Sequence, residues 1–275
     1  MNPHAPYSMR PHALIASVSK NRNLIISLIK REVIGRYRGS VMGLLWSFFN
    51  PVLMLIVYTF VFSVVFKARW TGGTGSKVEF ALVMFTGLLL FNLFSEVLNR
   101  APGLVINNVS YVKKVIFPLE ILPLVALGAA AFHMLVSLIV WLIFFLIFFT
   151  IPSWTALAVP LVLIPLALLT LGLAWLLASL GVYLRDVGQV IGLITTVLMF
   201  LSPIFFPVAA LPEKYQGIMQ LNPLTYFVEE TRNLMIWGKS LDWQKWGYWT
   251  ALSSLVAWLG FAWFQKTRKG FADVI

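Results

Sequence analysis

The sequence predicts an all-α protein that crosses a membrane several times, and three observations carry that expectation. Hydrophobic residues make up 60% of the chain and charged ones 11%, with a mean hydropathy of +0.86, a balance outside that of an ordinary soluble domain. The apolar residues fall in uncharged runs close to or above the ~20 residues needed to span hydrocarbon. The net charge of +11 sits beside those runs and not in a separate basic domain. Anionic lipid head groups therefore fit it better than nucleic acid. The chain has no cysteine and three histidines, His4, His12 and His133. Disulfides and thiolate metal sites are thereby excluded, and the histidines are too scattered for a metal cluster.

The elements follow in order. Residues 1–21, with Pro3, Pro6 and Pro11 and little hydrophobicity, read as a mobile cytoplasmic tail and not as a cleavable signal peptide. Everything from 22 to 275 reads as one transmembrane domain. It begins with a basic helix whose residues Ile26, Ile29, Val33 and Tyr37 share one face. Lys20, Ser27, Arg31 and Arg38 share another. Such a helix lies in the membrane interface and feeds the first span. That span, 41–66, contains Asn50-Pro51; the proline frees a carbonyl one turn earlier and bends the helix.

The loop KARWTGGTGSKVE follows. It lacks the spacing and the preceding strand of a phosphate loop and reads as an external turn. A second span, 80–98, carries Glu96 near its inner end, four residues before Arg100, which offers a helical ion pair. An inner segment with NNVSYVKKVIFP leads to spans three and four, 121–149 and 155–183. A tight turn at Arg185-Asp186 leads to the fifth, 187–206. An apolar external stretch, 207–245, precedes the sixth, 246–264.

Charge tests this arrangement. The segments placed inside hold 14 basic and 4 acidic residues, those outside 7 and 5, as cytoplasmic retention of Lys and Arg requires when both termini are inside. The sequence has no serine–histidine–carboxylate set and no metal-ligand cluster. Its adjacent Glu229 and Glu230 point in different directions on a helix. His133, in mid-span, is expected to hydrogen-bond a neighbouring helix. With few acids near the midplane, ion-coupled transport is disfavoured. Active transport by this chain would need energy from elsewhere.

Four stretches, LIKREVIGRYRGSVMGLLWSFFNPVLMLIVYTFVFSVVF, VKKVIFPLEILPL, YLRDVGQV and LNPLTYFVEETRNLMIWG, in that order and spacing, resemble the membrane subunits of ABC-2 type exporters. They are most similar to the branch that exports lipid-linked polysaccharides such as O-antigen, capsule and teichoic acid. The resemblance covers about residues 22–270. It implies a half-transporter in a bacterial inner membrane. Two copies would form the channel, and two copies of a separate ATPase would bind ATP and Mg, with no cofactor on this chain.

By the same resemblance, the inner loop from Asn107 to Glu120, with Lys113, Lys114, Phe117 and Pro118, would be the helix that docks on the ATPase. The N-terminal helix carrying Arg31 would be a second docking element. Leu211 to Trp237 would form short outer gate helices, broken at Asn222-Pro223 and carrying Thr225, Glu229 and Arg232; Arg185-Asp186 would match the family's inner turn. Aromatic faces pack on sugar C–H groups, and Phe48, Tyr58, Phe62 and Phe66 share a face of the first span. That face is expected to point at protein or pore and not at lipid, since Tyr58 needs a hydrogen-bond partner that lipid tails lack; it would either line the cargo path or serve as ordinary helix packing. The alternatives are an ABC-2 permease for a drug or lipid, and a membrane-embedded glycan-modifying enzyme.

Overall fold

The computed structural model describes residues 9, 11–65, 70, 76–112 and 117–275, apart from the side chain of Ser63. Every regular element among them is helical. The axis of the bundle is α4, Lys77–Arg100. From Phe80 to Phe91 its sequence is apolar around the circumference except for Thr86 and Gly87, which suits a helix only when neighbours surround it. They do: 83% of its most apolar stretch is buried, against the first span and helices α7, α8, α9 and α11 given below. The polar Thr86 in its middle donates to the Leu82 carbonyl at 2.9 Å, and Trp141 Nε1 donates to the same oxygen at 3.1 Å.

Four helical stretches are long and apolar enough to cross a bilayer: Gly43–Phe62, Lys77–Arg100, Leu119–Phe148 and Trp154–Tyr183. They match the first four expected spans. Within them, α3 is Trp46–Tyr58, α7 Leu122–Phe148 and α8 Val159–Tyr183. Pro51 lies inside α3, and the helix then widens into a π-helix, Thr59–Val65. Only 6% of the first stretch is buried. An apolar helix this bare must meet lipid or another protein.

The fifth expected span is shorter than predicted. Helix α9, Val187–Phe200, has 14 residues, ~21 Å at 1.5 Å per residue, and does not continue to 206. Pro203 and Pro207 cannot donate into a continuing helix. The carbonyls of Pro203 and Ile204 instead accept hydrogen bonds from Arg232. Helix α12, Trp243–Thr267, has 25 residues, a spanning length of ~37 Å. It is more polar than the four above, with Gln244, Lys245, Thr250, Ser253 and Gln265. It packs more extensively on α8 than any other two helices pack together, because Gly172 and Gly260 let the two backbones touch.

The N-terminal region differs from expectation in two ways. Residues expected in a mobile tail form α1, Pro11–Lys20. The stretch expected as an interface helix is helical, as α2, Arg22–Tyr37; of the predicted face Val33 is buried and Ile29 and Tyr37 are half-buried, with Ile25 and Leu28 buried beside them. Ile25 and Leu28 pack with Ile121 and Val125 at the start of α7, while Ile26 is 50% exposed. Packing against α7 thus draws Ile25 and Leu28 inwards and leaves Ile26 outside. Beyond α9, α10 (Glu213–Leu221) and α11 (Pro223–Met235) are separated at Asn222-Pro223, as read from the sequence. Asn222 Oδ1 accepts the Leu224 N–H at 3.0 Å and Pro223 occupies the first helical position, a strong helix start.

Candidate functional site

Helices α2, α3, α4 and α7 enclose an open cavity of about 1020 Å³. Helical spacing brings its lining together. Phe85, Leu88, Asn92, Glu96 and Asn99 form one face of α4, and Ser47, Asn50, Met54 and Tyr58 one face of α3. His133 and Ser137 come from α7, and Arg31, Glu32 and Arg36 from α2. The lining changes character along α4: charged at Glu96 and Arg100, hydroxyl and amide at Ser95 and Asn92, aromatic at Phe85. From Phe85 to Glu96 is ~16 Å of helix.

At the charged end Glu96 is the hub. Arg36 Nη1 donates to its Oε1 at 2.6 Å, His133 Nδ1 lies 3.0 Å from its Oε2, and Arg100 Nη1 is 3.7 Å away. Arg100 also bonds Glu32 of α2. His133 also places its Nδ1 3.3 Å from Arg36 Nη1. Its Nε2 is buried without a partner among the described residues. The expected Glu96–Arg100 pair therefore exists, but it is the longest of three contacts. The expected bond from His133 to a neighbouring helix is made to Glu96. Arg36, reaching from α2 into the bundle, was not singled out in the sequence; its signal was a lone intramembrane acid with more than one basic segment to answer it.

The aromatic face divides. Tyr58 lines the cavity. Phe62 stacks on Phe205 at 5.0 Å between ring centroids and on Phe80 at 6.4 Å, extending the aromatic end. Phe48 lies outside the lining, edge-on to Phe49, because the cavity face of α3 runs through Ser47 and Asn50. Phe66 falls outside the described residues.

The loop between α4 and α7 holds two short helices, α5 (Gly103–Ile106) and α6 (Val109–Val112). Lys113 and Lys114 fall outside the described residues. Asn107, at the end of α5, is exposed. Arg31 Nη2 donates to the Tyr111 hydroxyl at 2.6 Å, and the Tyr111 ring stacks on Phe117 at 4.2 Å and 8°. The two expected docking elements, α2 and this loop, are thus joined into one surface. Pro118 precedes a turn of 3₁₀-helix, Leu119–Ile121. Glu120, expected on the docking face, is instead buried and paired with Arg268, Nη1 to Oε2, at 2.6 Å. A carboxylate at the foot of an apolar helix needs a counter-charge more than it needs solvent.

At the opposite end of α4 the fully buried guanidinium of Arg232 donates to the carbonyls of Val83 (2.9 Å), Ile204 (2.8 Å) and Pro203, and lies 4.4 Å over the Trp70 ring. Burial pulls its pKa down to about 9, with Glu229 opposing, so it stays charged at neutral pH. Burial raises the pKa of Glu229, against the pull of Arg232, Lys245 and Lys239. Thr225 Oγ1 donates to the Met219 carbonyl at 2.7 Å, and Asn222 Nδ2 to Ser202 Oγ at 2.9 Å. Asn222, Thr225 and Arg232 therefore brace α10 and α11 against α4 and the end of α9. Arg185 and Asp186 are exposed in the turn between α8 and α9, with no ion pair between them among the described residues.

Comparison with known proteins adds the following. A family model described as ABC-2 type transporter matches residues 23–236. The O-antigen export system permease protein RfbA of Myxococcus xanthus is 26% identical over 264 residues, 95% of this chain and 99% of that protein. Its namesake in Klebsiella pneumoniae is 25% identical over 254 residues, 92% and 95% of the two chains. The polysialic acid transport protein KpsM of Escherichia coli is 24% identical over 248 residues, 88% and 92%.

Proposed function

This chain belongs to the ABC-2 type transporter family, and from that membership we propose that it is the permease of an ATP-driven exporter of lipid-linked polysaccharide, O-antigen-like in kind. The observation that carries the cargo is the match to a permease named for O-antigen export over nearly the whole of both chains. The chain acts as a transport subunit and not as an enzyme. A separate ATPase binds ATP and Mg, docking on the surface formed by Arg31, Tyr111 and Phe117 and on the loop residues Asn107, Lys113 and Lys114. Two permeases and two ATPases make the exporter. The bare apolar faces of α3 and α9 give a second copy of this chain surfaces to pack against.

The protein sits in the bacterial inner membrane with its basic ends, both termini included, in the cytoplasm. Six crossings result, with α9 and its following turn as the fifth and α12 as the sixth. The cavity supports a path from the charged end outwards. Arg36 and Arg100 meet the anionic head of the lipid carrier, Asn50, Asn92 and Ser137 offer hydrogen bonds to sugar hydroxyls, and Tyr58 presents its ring to sugar C–H groups. Helices α10 and α11 close the outer end.

Removing the protein should abolish surface polysaccharide while lipid-linked glycan accumulates in the cytoplasm, and wild-type chain should co-purify with an ATPase as a two-plus-two complex. Surface glycan that persists without the protein, or ATP hydrolysis by the chain alone, would refute the reading. Orientation is checked separately. The chain has no native cysteine, so single cysteines at Ser110 and Lys266 should resist an impermeant thiol reagent in intact cells, and one at Ser240 should label. Labelling of Ser110 from outside would reverse the topology.

A further inference from the structure

Glu120 marks the point where the loop after α4 re-enters the apolar bundle, and it is 7% exposed. Four segments meet on it. Arg268 Nη1 donates to Oε2 at 2.6 Å, Ser17 Oγ donates to Oε1 at 2.8 Å, and Trp175 Nε1 donates to the Glu120 carbonyl at 3.0 Å. Arg268 also holds the loop itself, Nη2 donating to the Phe117 carbonyl at 2.8 Å. These contacts join α1, the loop, α8 and the segment that follows α12, across as many as 148 residues of chain.

Helix α8 holds the other end of the loop too. A Cβ on Gly181 would fall on the Pro102 carbonyl, so the backbones touch there. Between these two fixed ends lies the stacked surface of Tyr111 and Phe117. Phe117 is therefore gripped twice, its ring by Tyr111, which Arg31 holds in turn, and its carbonyl by Arg268. Arg268, which bonds the Phe117 carbonyl, lies one residue beyond the end of α12.

An apolar pair of the same volume would usually be as stable as a buried ion pair. What the pair adds is geometry, because a guanidinium fork fixes the orientation of what it binds. We propose that Glu120, locked by Arg268 and Ser17, is a positioning residue through which movement of the loop reaches α8 and α12. The proposal rests on the docking role assigned to the loop above.

The test uses the permease–ATPase complex and reads polysaccharide exported per ATP hydrolysed, a ratio that mere loss of folded protein does not move. Glu120→Gln keeps the shape and removes the charge. Its complex yield and ATP hydrolysis should stay within about twofold of wild type, while export per ATP falls about tenfold or more, the scale set by truncating one partner of a buried charged pair. Should that variant fail to assemble, Arg268→Lys serves. It keeps the charge but not the fork that also holds Phe117, and the ratio should fall likewise. An unchanged ratio in either variant overturns the proposal, as does loss of export in strict proportion to loss of complex. A cysteine at exposed Asn107 that cross-links to the ATPase separates the two readings. Without the cross-link the docking role itself falls; with it and an unchanged ratio, only the coupling role of Glu120 falls.

Discussion

Gly260→Leu should remove nearly all folded permease from the membrane. Helices α8 and α12 touch backbone to backbone. A Cβ built on Gly260 would fall on the Gly172 carbonyl, and one on Gly172 would meet the Val256 carbonyl at 2.5 Å. Where side chains can swing aside, overpacking costs ~1–3 kcal/mol. Here the obstacle is main chain, so the helices must part, and the penalty lies at or above that range. Separation would also strip the packing of Phe261 on Trp175, centroids 5.5 Å apart, and loosen the Trp175 bond to Glu120. Between membrane helices there is little hydrophobic force to compensate, since lipid is as apolar as the partner. Gly247→Leu, on the same helix with nothing within 4 Å of its Cβ, is the control and should accumulate normally. Detergent-extracted protein measured by fluorescence size exclusion separates the two. Wild-type yield from Gly260→Leu would show that the close crossing is dispensable.

The features legible in the sequence were those set by local chemistry. Uncharged runs gave the first four spans, and Asn222-Pro223 marked the start of α11, because a cap and a first-turn proline act within a few residues. The end of the fifth span was missed although Pro203 and Pro207 announced it. A hydropathy pattern counts apolar residues and overlooks a missing N–H donor. Glu96 shows where local rules end. The rule of helical neighbours offered Arg100, whereas the shorter contacts come from Arg36 and His133, 60 and 37 residues away. Glu120 was placed on a docking face by its position in a motif; its partner Arg268, 148 residues on, leaves no mark in its surroundings. Ile26 was put on the buried face of α2 by periodicity alone, whereas packing on Ile121 and Val125 buries Ile25 and Leu28 and leaves Ile26 exposed. Pairings of this kind are decided by tertiary packing, which propensity and spacing do not encode.

Arg232→Lys should cut export sharply while keeping every formal charge. Arg232 sends separate nitrogens to separate segments: Nε to Val83 of α4, Nη1 to Pro203 and Nη2 to Ile204 beyond α9. A lysine ammonium donates from one point and cannot reach carbonyls spread across a guanidinium fork. Two of the three carbonyls would be left buried without donors, at ~1–3 kcal/mol each, or ~2–6 kcal/mol together. The burial that lowers the arginine's pKa to about 9 would press harder on a lysine, whose ordinary value is lower. Gly87→Ala approaches the same point from α4, since its Cβ would stand 2.8 Å from Arg232 Nη2; it should weaken the clamp less, because a side chain can shift. If the clamp holds α10 and α11 on the bundle, Arg232→Lys should lower the melting temperature of the purified complex. It should also expose a cysteine at buried Val228 to an external thiol reagent, and Gly87→Ala should fall between it and wild type. A lysine variant with wild-type melting, shielding and export would show that the guanidinium fork is not what seats the outer helices.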